Sequence, residues 1–148
     1  MRLYLIVLLI IEYFSFSQNP YSTRDSKNYL SAERTITDTT LTKSIKRGAI
    51  IYADFCVQCH MENGDGVRNT YPPLAKADFL LTNKQESIRA IKYGIKGKIT
   101  VNGGIYNSTM PPLGLYDDEV ADVMNYISNS WGNTSKLVTE KDVQLINN

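Results

Sequence analysis

The residues best equipped for chemistry stand in one short run, Cys56-Val57-Gln58-Cys59-His60. The chain of 148 residues has two cysteines and one histidine, and all three lie in this pentapeptide. If the helix expected ahead of it continues to His60, Cys56 and Cys59 stand at i and i+3, with His60 one turn after Cys56. Two thiols and an imidazole then project from one side of a single turn. Thiols so placed can add across the two vinyl groups of a porphyrin while the imidazole reaches the iron, and C-x-x-C-H is the signature of c-type haem attachment. Three other readings use the same atoms. A CxxC redox pair belongs in a βαβ setting, whereas this motif ends a helix and runs into loop. A disulfide between i and i+3 of a helix is geometrically awkward. A zinc ion would have to recruit carboxylates. The scarcity of Cys and His excludes a Cys/His-only tetrahedral metal site, a disulfide framework, and a Ser-His triad with a separate Cys/His metal site.

The elements that must position this run are helical. Ile45, Gly48 or Ala49, Tyr52 and Cys56 recur at three- and four-residue spacing, which predicts a helix over Ser44–Phe55. Asn63 to Pro73 is rich in Gly, Pro and Asn and is loop. A second helix is expected over Lys84–Tyr93, with Ile88, Ile91 and Ala90 inward and Gly94 as its stop. Asn102-Gly103-Gly104 marks a turn between short extended pieces within Ile95–Thr109. The last helix is expected over Asp117–Trp131, with Val120, Val123, Met124 and Ile127 on its apolar face and Asp117, Asp118, Glu119 and Asp122 favoured near its start by the helix dipole. Three helices joined by long loops fill a core poorly, so the loops need something large to wrap around.

Outside residues 44–132 the pattern changes. Arg2 precedes an apolar run from Leu3 to Ile11, too short to span a bilayer, which needs roughly 20 residues. Ser15-Phe16-Ser17 then sets small residues three and one before a cut at Gln18. Residues 1–17 therefore read as a secretory signal peptide, implying an exported, periplasmic chain with no transmembrane span once cleaved. If the signal stays uncleaved, the chain sits at the outer face of the cytoplasmic membrane. Residues 18–43 read as a polar leader or tether. Ser22 to Thr42 is rich in Ser and Thr without helical or strand periodicity, and no structure is assigned there. Residues 133–148 are a C-terminal tail. With 16 basic and 15 acidic residues the chain is near neutral, and a nucleic-acid partner is not expected.

Over residues 44–132 the chain resembles the class I, mitochondrial-type cytochromes c. Gly48 and Tyr52 stand eight and four residues before Cys56, like the glycine and aromatic of that family's first helix. Val123 and Tyr126 match the apolar and aromatic pair on its last helix, which crosses the first. The resemblance implies an all-α fold of three to five helices and long loops around one haem c, bound through Cys56 and Cys59. By the same match Pro72-Pro73-Leu74 is the proximal Pro-x-Leu, so that the Pro72 carbonyl receives the other ring N–H of His60. Met110-Pro111-Pro112 matches the loop that supplies the second axial ligand. One departure is Tyr116, where such chains usually have Ser, which would leave Asp117 as the N-cap.

Met110 also has a case of its own. Pro111 disfavours α geometry at residue 110, so Met110 sits in extended loop. It lies fifty residues beyond His60, far enough to reach the opposite haem face. Met61 is chained to the proximal side, Met124 reads as helix core, and Met1 leaves with the signal. With His60 and Met110 both on the iron, no position is open to substrate, and a one-electron carrier between protein redox partners is expected, such as a periplasmic dehydrogenase, reductase or terminal oxidase. Two alternatives use the same haem: a dedicated subunit of a dehydrogenase or reductase complex, and a small peroxidase or gas sensor with an open distal site. Lys84, Arg89, Lys92, Lys96 and Lys98 form a basic stretch suited to steering an acidic partner.

Overall fold

The computed structural model describes residues 22–147, which puts the expected signal peptide outside the described residues. The chain divides into two units between Asp38 and Thr39. Helix α1 spans Ser22–Phe55. It therefore begins 22 residues before the expected start at Ser44, and the polar leader is helical from Ser22. Once a turn exists, each added residue gains a hydrogen bond for one residue ordered, so a polar stretch can propagate a helix without a buried face. In the first unit, Thr35 and Thr37 donate back to the carbonyls of Ser31 and Glu33, and Leu30 and Ile36 are exposed.

The second unit holds the core. After α1 come α2 (Val57–His60), α3 (Asp78–Thr82) and α4 (Lys84–Tyr93). Four short strands follow: β1 (Ile95–Lys96), β2 (Ile99–Val101), β3 (Gly104–Tyr106) and β4 (Thr109–Met110). Helices α5 (Asp117–Ile127) and α6 (Glu140–Gln144) complete the six helices among the described residues. The expected turn at Asn102-Gly103 closes the antiparallel β2–β3 hairpin, with Ile99 opposite Tyr106. β1 pairs with the distant β4, setting Ile95 opposite Met110.

The crossing of α1 and α5 depends on Gly48. A Cβ there would lie 2.0 Å from the Asp122 carbonyl oxygen and 2.9 Å from the Tyr126 Cβ, so only glycine permits this approach. Beside it a polar network centred on the buried Asp122 ties the two helices. Ser44 Oγ donates to Asp122 Oδ1 at 2.6 Å, and the Arg47 guanidinium grips both Asp122 oxygens. A carboxylate that is nearly fully buried is tolerable only when satisfied in this way. The apolar face of α5 is as the periodicity indicates: Val120, Val123, Met124 and Ile127 are all buried.

Three further boundaries differ from the sequence reading. The N-cap of α5 is Tyr116, not Asp117, because the Glu119 carboxylate reaches back 2.9 Å to accept from the Tyr116 N–H. The helix ends at Ile127 rather than Trp131. Asn129 Nδ2 and Ser130 Oγ donate to the carbonyls of Asn125 and Tyr126, and Trp131 and Gly132 turn the chain at φ +53° and +86°. The segment expected as a C-terminal tail contributes to the core within residues 133–147. Val138, Val143 and Ile146 are buried, and Asn125, fully buried itself, donates to the Val138 carbonyl (2.8 Å) and accepts from its N–H (2.7 Å).

Candidate haem-binding site

The cysteine run begins where α1 ends. Cys56 donates its N–H to the Tyr52 carbonyl, and its own carbonyl accepts from Cys59 N–H (3.1 Å) and His60 N–H (3.0 Å). The regular helix is interrupted at Cys56 alone, so the i, i+3 and i+4 relation of the three side chains survives. The two cysteines are not bonded to each other, and among the described residues no three Cys, His, Asp or Glu side chains gather as a group that could hold a metal ion. Tyr52 sits one turn before Cys56. Its hydroxyl donates to the Met61 carbonyl at 2.7 Å, and its ring packs against Tyr126 and Trp131 at centroid distances of 5.3 and 5.1 Å.

The loop after His60 folds back on it. Gly66 N–H donates to the His60 carbonyl, and the N–H groups of Leu74 and Ala75 donate to the Gly64 carbonyl. A Cβ on Gly66, at φ +63°, would lie 2.4 Å from the Tyr71 carbonyl oxygen and 2.5 Å from that of Pro72, so the tight return requires glycine. It brings the Pro72 carbonyl 3.0 Å from His60 Nδ1. A carbonyl only accepts, so Nδ1 carries the hydrogen and Nε2 keeps its lone pair. Burial lowers the His60 pKa while the Pro72 hydrogen bond opposes the shift, and the neutral ring is the form that binds a metal. Burial, with a smaller contribution from Cys59, pushes the Cys56 thiol up to about 11.

Asn133, just outside the domain bounds read from the sequence, holds the same loop from the other side. Its Nδ2 donates to the carbonyls of Leu74 (2.9 Å) and Ile127 (2.8 Å), and its Oδ1 accepts from Lys76 N–H (2.8 Å). No local periodicity marks it. Its one sequence signal is an Asn following glycine at the end of a helix.

Two cavities, of about 80 and 180 Å³, lie between this loop and the strands. Cys56, His60, Pro72 and Met110 line both, and Cys59 lines the larger. The expected site residues are thus brought together from three separate parts of the chain. Ile95 and Ile99 also line both cavities; the smaller is otherwise mostly aliphatic, with Leu74, Leu80, Ile91 and Val123, while Phe55, Tyr71, Tyr106 and Leu113 line the larger. Sequence reasoning missed Ile95 and Ile99 because isolated apolar residues in two- and three-residue strands carry no period. Ser87 Oγ on the same wall is buried without a hydrogen-bond partner among the described residues.

These residues fit a covalent haem. The donor set is two thiols on one turn, a neutral imidazole with a free Nε2, and a thioether on the same cavities. The largely apolar walls suit a macrocycle, and an unsatisfied buried hydroxyl marks a space left for a partner.

The family model described as Cytochrome c matches residues 45–131. Cytochrome c-552 of Thermus thermophilus is 39% identical over 95 residues, covering 61% of this chain and 72% of that protein. The cytochrome c subunit of the quinone alcohol dehydrogenase of Gluconobacter oxydans is 32% identical over 108 residues, covering 66% of this chain. The gluconate 2-dehydrogenase cytochrome c subunit of Pantoea cypripedii is 36% identical over 101 residues, covering 65% of this chain. This chain spans only 21% and 23% of those two subunits. The chain belongs to the cytochrome c family. It has the mostly helical class I fold, binds one haem c through Cys56 and Cys59, and is an electron carrier.

Proposed function

We propose that His60 and Met110 would both ligate the haem iron, that Pro72 orients His60, and that the chain passes single electrons between protein partners without binding a substrate. The bound haem supplies a reversible one-electron couple. The protein's own part is to hold the two ligands and keep water away. The Pro72 carbonyl fixes the His60 tautomer and ring plane, which also raises the basicity of the ligating nitrogen. Burial in largely apolar surroundings, together with thioether ligation, favours the ferrous state and a raised potential. The observation that carries this reading is that Met110 lines the same two cavities as His60, Cys56 and Pro72. The ferric protein is expected to show the weak near-red band of a sulfur–iron bond, lost in Met110→Ala. A parent protein without the band would sink the ligand assignment.

A carrier is favoured over a peroxidase because neither Arg68 nor Arg89 lines either cavity, and Arg89 instead bonds Glu86 and the Asn147 carbonyl. Export to the periplasm rests on the charged start and short apolar run of residues 1–17. No helix among the described residues is long and apolar enough to cross a membrane. The relatives named as cytochrome c subunits of dehydrogenases favour a second reading, a dedicated subunit delivering electrons from one dehydrogenase. Gel filtration of native material, with and without crosslinking, separates the two. Lys92 is less available for steering than the sequence implies, since its Nζ bonds Asp117 at 2.9 Å and the Val143 carbonyl at 3.1 Å.

A further inference from the structure

Met110, the proposed second ligand, lies in a strand of two residues, which is too short to hold a side chain by itself. Among the described residues β4 pairs with β1 alone, and β1 starts directly after Gly94. Gly94 closes α4 with φ +79° and ψ 171°, a region of backbone space open essentially to glycine. It is also pressed against the methionine loop. A Cβ on Gly94 would lie 2.6 Å from the Met110 carbonyl oxygen, 2.9 Å from Pro112 N and 3.0 Å from Pro112 Cδ. Two of these atoms are backbone or its direct continuation, and the third belongs to a rigid ring, so none can swing aside.

We infer that Gly94 is a positioning residue for the Met110 ligand: its missing side chain lets the Met110–Pro112 backbone seat against the end of α4, in register with Ile95. The inference rests on Met110 being the ligand. The backbone contact and the strand pairing act at the same point, because Ile95, next to Gly94, is the residue opposite Met110. Ile95 also lines both cavities, so a shift of this corner moves the cavity wall and the methionine together. Any side chain at Gly94 must either rotate the α4–β1 junction out of its conformation or push Met110 away from the cavities.

A matched pair of variants of the haem-loaded protein tests this. Gly94→Ala introduces both the positive-φ strain and the contact. Gly103→Ala introduces strain at φ +76° in the β2–β3 turn, where a Cβ would meet nothing within 4 Å. Both variants are expected to lose stability, and both to keep the Soret absorbance of the attached haem. Only Gly94→Ala is expected to lose the near-red band and to let its ferrous form bind carbon monoxide. A parent lacking the band refutes the ligand assignment itself. A parent with the band and a Gly94→Ala variant that keeps it, closed to carbon monoxide, overturns the positioning role and leaves the ligand assignment standing. Should Gly94→Ala yield no haem protein, the parent is titrated with urea while the band, the far-ultraviolet ellipticity and amide exchange across β1–β4 are followed. The band should vanish as protection across that pair is lost, before the helices melt. A band that outlasts the pairing overturns the inference.

Discussion

Gly48→Ala is the sharpest test of the helix crossing that carries the cysteine run. In an isolated helix this change stabilises by about 1 kcal/mol, since glycine is the poorer helix former. Here the new methyl would sit 2.0 Å from the Asp122 carbonyl oxygen and 2.6 Å from its carbon, against an ordinary contact of at least 3.4 Å. The helices would have to part by about 1.4 Å, the shortfall in the closest contact. Overpacking against backbone costs about 1–3 kcal/mol or somewhat more. The separation would also stretch the hydrogen bonds of Ser44 and Arg47 to Asp122, and bonds to a charged group contribute about 1.5–3 kcal/mol each. Set against the gain in propensity, a net loss of about 2–4 kcal/mol is expected. Urea unfolding of the haem-loaded protein, followed by far-ultraviolet ellipticity, measures it. A variant as stable as its parent, or more stable, would mean that the backbones do not meet at Gly48.

Other perturbations reach separate parts of the unit. Met110→Ala should abolish the near-red band and open the ferrous protein to carbon monoxide, while the pyridine haemochrome spectrum still reports two thioether bonds. Asn125→Ala strips the Val138 N–H and carbonyl of their partners in a buried setting. At about 1–3 kcal/mol for each unsatisfied group, a loss of about 3 kcal/mol is expected, with amide exchange at Val138 accelerated more than across the centre of α5. Asp142 has its pKa lowered, chiefly by the Thr139 backbone N–H at 2.8 Å. A folded-state pKa below the unfolded value gives stability that is present above the unfolded pKa and fades as pH falls through the folded one. The cap of α6 should therefore loosen in acid below the ordinary aspartate range, and Asp142→Asn should remove that part of the pH dependence of its amide exchange.

What was legible in the sequence was what is written locally. The apolar faces of α4 and α5 follow from spacing, because a residue's side of a helix depends only on its neighbours three and four away. The hairpin at Asn102-Gly103 was legible because its turn needs φ > 0 at both residues. Less legible was the extent of α1, since Ser22 to Thr42 is polar and carries no helical period in its sequence. The C-terminal segment was hidden too. Val138, Val143 and Ile146 are buried in a core assembled from residues distant in the chain, and nothing in the sequence marks Asn125 as the partner of Val138.

The sequence by itself determined the attachment chemistry: two thiols and an imidazole within five residues, whose mutual geometry one helical turn sets. The position of Met110 is different, since fifty residues separate it from His60. Pro111 rules out helix there but cannot say which way the extended chain points. That was decided by tertiary structure, through the pairing of Ile95 with Met110 and the bare backbone of Gly94 that allows it. Side chains on one turn are placed by bonds already made, whereas a distant strand is placed only by the surface it meets.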